Sequence, residues 1–293
     1  MTVRAVSSNI KTVRLAKKAS RLLITHGVLI VGSIVFIFPL LWLISISLKY
    51  PKDMFPPEIQ LIPPRIRWEN YTNMFKYFKF WTYFSNSIIV TGLNIAGQWL
   101  TAPLVAFSFA RLKWPGRNIA FYILLGTMMI PADITRIPMF ILFSNMGLVD
   151  TWIPLTVPAF FGGSAYNIFL IRQFFMTIPN EMEESALVDG AGFFTIYRRI
   201  MLPLITPVLT TVTIVVFLWA YNDFMGPLIY LSTTSKYTLS LALRMFQQQS
   251  RDSTTQFGFM FASAVLMIMP IIVFFFLGQK KFIEGITLTG LKE

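Results

Sequence analysis

The chain contains no cysteine and one histidine, His26. Disulfides, thiolate metal sites and cysteine nucleophiles are therefore excluded, and the redox compartment stays open. His26 cannot build a metal site alone, and its place near the start of the first apolar run suits packing at a membrane interface. Charge is also scarce, at 13% of residues, where soluble domains carry roughly a quarter. Several enzymatic signatures are missing: there is no H-E-x-x-H, no G-x-S-x-G, no G-x-x-x-x-G-K and no acidic pair inside an apolar run. No internal repeat, low-complexity tract or long interdomain linker interrupts the sequence.

Apolar residues dominate instead. They make up 55% of the 293 residues, aromatics make up 16%, and mean hydropathy is +0.63. This is a membrane composition. The net charge of +12 does not point to nucleic acid, because basic residues avoid the long apolar runs and gather at their ends.

A hydrocarbon layer about 30 Å thick needs roughly 20 apolar helical residues to cross it. Stretches at about 22–48, 84–110, 118–143, 152–174, 202–230 and 257–279 qualify. The first is too long for a cleaved signal peptide and no small-x-small site follows it. Pro131 falls within the third and should kink or break it. Arg4, Lys11, Arg14, Lys17, Lys18 and Arg21 precede the first span with no acidic residue among them. The positive-inside rule thus places the N-terminus in the cytoplasm. Alternation then puts Arg111, Lys113, Arg117, the 175–201 loop and the C-terminal tail inside. The 49–80 segment is expected outside as an irregular, proline-rich loop. It is the one outer loop rich in basic residues, balanced in part by Asp53, Glu58 and Glu69. The expected organisation is a basic, partly amphipathic arm at 1–21, then one integral membrane domain over 22–293.

The loop at 175–203 differs from the others. Asn180 can cap a helix, and Glu183 at the third helical position completes a capping-box pattern. Glu181, Glu183 and Glu184 suit the positive end of the helix dipole. Met182, Ser185, Ala186 and Asp189 share one face, mostly of short side chains that another surface can approach closely. Gly190 falls where the helix should stop, in the left-handed conformation of a C-terminal cap. Phe193, Ile196, Tyr197 and Ile200 then repeat at helical spacing as an apolar stripe, flanked by Arg198 and Arg199. Leu202-Pro203 is expected to open the fifth span. The pattern fits two readings: a helical pair offering its stripe to another protein, or an amphipathic loop resting on lipid headgroups.

This segment resembles the EAA loop of the membrane subunits of binding-protein-dependent ABC importers. That signature runs E-A-A, three residues, G, nine residues, then I-x-L-P. Glu184, Ala186, Gly190, Ile200, Leu202 and Pro203 stand at the required positions, with Ser185 replacing the central alanine. Three further segments are similar to the sugar-importer branch containing the second maltose permease subunit: Ala106–Arg111 with Trp114–Arg117, Trp219–Phe224 with Pro227-Leu228, and Gly285–Lys292. The resemblance covers most of residues 65–293. It implies an all-α polytopic membrane protein with six transmembrane helices, the type I ABC importer permease fold, in a bacterial plasma membrane. It further implies a heterodimer with a second permease subunit, two ABC ATPase subunits, an external solute-binding protein and a sugar or oligosaccharide substrate. The chain itself would be no enzyme and bind no cofactor, since ATP and magnesium would sit in the ATPase. Glu184, Ser185, Ala186, Asp189, Gly190, Ile200, Leu202 and Pro203 would form the ATPase-coupling contact.

Polar groups at membrane depth usually face water or a partner, which makes Asp133, Arg136, Gln98, Tyr221, Asn222 and Asp223 possible pathway residues. Asp133 and Arg136 are spaced to pair with each other, and a structural pair near the outer surface is the competing expectation. Gln98 and Asn94 suit interhelical hydrogen bonds. Asn222 and Asp223 suit a chain turn near the outer face. Trp219, Tyr221 and Tyr166 could grip a sugar, although membrane interfaces enrich the same residue types. The alternative function is a secondary transporter or channel without ATP coupling. It would leave the EAA-like loop unexplained and offers only Asp133 as an intramembrane carboxylate for ion coupling.

Overall fold

The structure, a computed structural model, describes the backbone of residues 2–54, 60–249 and 254–290, and the side chains of 21–54, 60–249 and 256–279. Expectations for the side chains of the first 20 residues and of the 285–292 tail lie outside the described residues. Among those residues the fold is all-helical.

Helix α1 (Thr2–Ser47) includes the first span. A short α2 (Glu69–Tyr77) corrects the expectation that 49–80 is irregular throughout. Helix α3 (Phe80–Arg111) is the second span. The third is broken: α4 (Arg117–Thr127) and α5 (Ala132–Asn145) meet at 98°. Pro131 sits at the N-cap of α5 with extended ψ, so it ends one helix and starts the next, as its missing donor dictates. The fourth span, Ile153–Phe175, divides into α6 (Ile153–Thr156), a 3-10 turn and α7 (Ala165–Phe175).

The loop that follows carries α8 (Glu181–Val188) and α9 (Phe193–Ile196), then a π-helical turn at Tyr197–Met201 and α10 (Leu202–Leu204). The fifth span proper is α11 (Thr206–Asn222), bent by 73° from the Phe193–Leu204 segment. Leu202-Pro203 opens the short α10, with the proline in its first turn, just before the bend that separates it from α11. Pro203 and Pro207 each remove an i→i−4 donor around the bend. Helices α12 (Met225–Tyr230), α13 (Leu239–Gln249) and α14 (Thr254–Gly290) complete the chain. Among the described residues four helices are long and apolar enough to cross a membrane, or up to six if each bent pair is one span.

The chain divides into two units. In residues 1–74 with 251–265, Asn70 is fully buried and donates to Ser47 O at 2.9 Å and Lys49 O at 3.1 Å. This satisfies carbonyls at the end of α1, which the helix itself leaves unpaired. Tyr71 Oη meets Ser47 Oγ at 2.7 Å, so the end of α1 is pinned at two places.

In residues 75–250 with 266–293, α3 packs along α7 and α11. Ala102 and Ala106 are fully buried and allow the close helix approach by which membrane helices gain dispersion contact without help from water. Phe107, Ile171, Phe175, Ile196, Tyr197, Met201 and Val212 share this core, with the Phe107 and Tyr197 rings 5.4 Å apart. Phe274 stacks on Phe217 at 4.2 Å, while Phe276 is exposed. At the far end Asp150 adopts a positive φ of 61° and binds Ser232 N, Thr233 N, Thr233 Oγ1 and Lys236 Nζ. Hydrogen bonds led by the Thr233 hydroxyl hold its carboxyl well below the usual carboxylate range.

Candidate functional site

Two places gather polar chemistry. The first is α8. Its C-terminus forms a full Schellman motif: Gly190 N donates to Leu187 O at 3.0 Å and Ala191 N to Ala186 O at 2.9 Å. Gly190 has φ +78°, the conformation this cap requires, and a side chain there would meet open space. The N-terminus departs from the capping-box expectation. Asn180 has helical backbone angles and makes no side-chain cap. Its Oδ1 instead accepts from Arg111, and Glu183 Oε1 lies 2.9 Å from Arg111 Nε. A buried guanidinium from α3 has taken both groups that would have capped α8. Burial pushes the Glu183 carboxyl above its ordinary range, Arg111 draws it back, and Glu184 adds to the rise.

The α8 residues divide by exposure. Glu184, Ser185, Asp189 and Gly190 are exposed, while Ala186 is half-buried against the unit's core, as are Ile200 and Leu202. The stripe of Phe193, Ile196, Tyr197 and Ile200 is likewise split. Ile196 and Tyr197 are buried in the chain's own core, and Phe193 is exposed. The expectation that the whole stripe is offered outward is therefore corrected: it anchors the loop. The outward apolar surface consists of Met182, Leu187, Val188, Phe193 and Phe194, with Val188 87% exposed. Sequence reading missed Leu187, Val188 and Phe194 because they lie off the periodic stripes. Two apolar residues beside a glycine cap on an acidic helix were the available signal.

The second place is a cavity of about 700 Å³ between α3, α5, α6, α7, α11 and the start of α12. Its polar lining comprises Asn94, Gln98, Arg136, Ser164, Tyr166, Asn167 and Asp223, with Trp219 on the wall. The broken fourth span creates part of it. Gly163 has φ +65°, and a Cβ there would overlap the Gln98 amide, so only glycine permits this approach. Asn167 Nδ2 donates to Gln98 Oε1 at 3.2 Å, while buried Asn167 Oδ1 has no hydrogen-bond partner among the described residues. Asn94 Nδ2 donates to Leu155 O at 2.9 Å. Gly226 N donates to Asp223 Oδ1 at 3.1 Å.

Of the residues singled out in the sequence, Gln98, Arg136 and Asp223 line this cavity together, with Asn94, Tyr166 and Trp219. Arg136 pairs with Asp133 at 2.8 Å, as their spacing predicts, and Asp133 is 81% exposed and off the lining. Tyr221 and Asn222 do not line it either. Tyr221 is buried with its hydroxyl donating to Met267 O at 3.2 Å, and Asn222 Nδ2 turns back to Leu218 O. Helical rotation explains the difference: Trp219, Ala220 and Asp223 face the cavity, and the residues between them face elsewhere. Among the described residues no cluster of His, Asp or Glu could hold a metal ion.

The multi-span helical fold and its exposed, capped loop helix define a membrane transport subunit. The chain belongs to the family described as binding-protein-dependent transport system inner membrane component, which matches residues 72–287. Among its relatives, the diacetylchitobiose uptake system permease protein NgcG of Streptomyces coelicolor is 29% identical, covering 88% of this chain and 85% of the relative. The arabinooligosaccharides transport system permease protein AraQ of Halalkalibacterium halodurans is 30% identical, covering 87% and 91%. The sn-glycerol-3-phosphate transport system permease protein UgpE of Brucella abortus is 29% identical, covering 91% and 96%. The fold matches a chain from the crystal structure of a bacterial ABC transporter involved in the import of the acidic polysaccharide alginate. The TM-score is 0.78 at 22% identity, over 91% of this chain and 98% of that one.

Proposed function

We propose that this chain is one of two permease subunits of an ATP-driven, binding-protein-dependent importer for a sugar or oligosaccharide. The observation that carries the reading is α8: a short helix capped at Gly190, clamped at its base by Arg111, and bearing exposed acidic, small and apolar side chains. A rigid peg of this kind can seat in a separate ATPase and transmit its closure to the spans. Glu184, Ser185, Asp189 and Gly190 make the contact, while Ala186, Ile200, Leu202 and Pro203 fix the loop behind it. Lys113, Arg117, Arg198 and Arg199 lie on the segments around this end, which supports a cytoplasmic α8 and cytoplasmic termini under the positive-inside rule.

The cavity forms this chain's share of the pathway. Gln98, Asn167 and Tyr166 offer hydroxyl-matching groups, and Trp219, 79% exposed as a residue, offers an aromatic ring. Arg136 is already paired with Asp133 and Asp223 is on the same lining. The wall thus carries no net positive charge, which favours an uncharged saccharide. The ATPase pair, which brings ATP and magnesium, the sibling permease and the external solute-binding protein are the remaining partners. The test is mild-detergent purification of the tagged chain from its native bacterial membrane. An ATPase pair and a second, related permease should co-purify. A transport-active homodimer without an ATPase would favour a channel or secondary transporter instead.

A further inference from the structure

The guanidinium of Arg111 gathers more partners than any other described side chain around the loop. It closes α3, and its side chain is only 6% exposed. Its nitrogens reach Phe175 O and Ile178 O, Asn180 Oδ1 and Glu183 Oε1. Those partners are the last residue of α7, the connection after it, the residue before α8, and the third residue of α8. One side chain therefore joins the ends of three helices.

Stabilising α8 does not explain this placement. A cation at a helix N-terminus opposes the helix dipole, and Asn180 and Glu183 could have capped α8 by themselves. Holding the two carbonyls at the end of α7 accounts for part of the site, and those carbonyls favour a cation. What remains is the link from α3 to α8, two elements 69 residues apart in the case of Arg111 and Asn180. The chain connects α8 to α7 through Met176–Asn180, but polar contact between α8 and α3 runs through Arg111. Arg172 adds a parallel tie, donating to Phe109 O at 3.3 Å, but it joins α7 to α3 and leaves α8 out. Toward the membrane α3 continues to Gln98 and Asn94 on the cavity wall. The rise from Arg111 to Gln98 is roughly 20 Å of continuous helix.

We propose that Arg111 is the positioning residue that transmits displacement of α8 to α3, and so to the cavity. The forked guanidinium suits the task because it fixes direction as well as distance, which an ammonium cannot do. The proposal rests on the reading of α8 as the ATPase contact.

The test uses the whole complex in proteoliposomes with its binding protein and transported sugar. Two quantities are measured: ATPase subunits retained, and sugar imported per ATP hydrolysed. Arg111→Lys should retain the ATPase and its hydrolysis, while import per ATP falls by about tenfold, the scale of one charge-assisted hydrogen bond. Glu183→Gln leaves the carbonyl contacts of Arg111 in place and should lower the same ratio by a smaller factor. It decides the matter if the lysine variant does not assemble. A merely structural role would reduce import and hydrolysis in equal proportion, leaving the ratio unchanged, and that result overturns the proposal. If the unaltered complex holds no ATPase, the functional reading fails first, and the two failures are distinguishable.

Discussion

Gly190 shows how one residue can matter through its backbone alone. Its φ of +78° completes the Schellman cap, and nothing stands within 4 Å of where a side chain would begin. The Cβ of Gly190→Trp therefore meets no described atom, and the conformational strain is about 1–2 kcal/mol, too little to unfold the bundle. We expect normal membrane levels of the variant, with transport and ATPase stimulation abolished because the indole projects into the proposed ATPase contact. Quantitative immunoblotting beside an uptake assay checks this. Wild-type uptake would remove Gly190 from the contact. Asn180 teaches the opposite lesson. The sequence predicted a cap at Asn180, but its oxygen is claimed by an arginine from a distant helix and it caps nothing. No local pattern could have signalled that contact.

Elements were legible where their cause was local. The stretches 22–48, 84–110 and 257–279 correspond to apolar helices within a few residues, since length and hydropathy alone define them. The break at Pro131 followed from a missing donor, and the Gly190 stop from a left-handed cap. The π-helical turn at Tyr197–Met201 was not foreseen, because no local residue marks it, and the 73° bend before α11 was missed although Pro203 and Pro207 flank it. The division of the fourth span was also missed. Gly162-Gly163 was its visible sign, but the close approach of Gly163 to the Gln98 amide of another helix was not. Gly163→Ala should consequently push the Gln98 amide out of place and destabilise by about 1–3 kcal/mol, lowering both the melting temperature and sugar uptake. Adding Gln98→Ala should recover part of the melting temperature, leaving the positive-φ strain. No recovery in the double variant would show that the clash is not the cause.

At the scale of the molecule, the family was readable from the spacing of Glu184, Ala186, Gly190, Ile200, Leu202 and Pro203, and the match over residues 72–287 agrees. The pathway was less readable. Gln98, Arg136 and Asp223 converge on one cavity, whereas Tyr221 turns inward because helix rotation at α11 is set by packing rather than composition. The loop after α7 presents a capped helix with a polar and apolar outer surface, and the broken helices border a cavity that sets a few polar groups in a largely apolar wall. The sequence carries no P-loop, and the proposed coupling to a separate ATPase runs through that helix.

The natural absence of cysteine makes the central claim directly testable. Ser185→Cys introduces a single thiol of similar size on the exposed face of α8, and a short bismaleimide can then be applied to native membranes. The account predicts a covalent adduct with a separate ATPase chain bearing a P-loop, identified by mass spectrometry. A thiol that reacts fully yet captures no ATPase would contradict it.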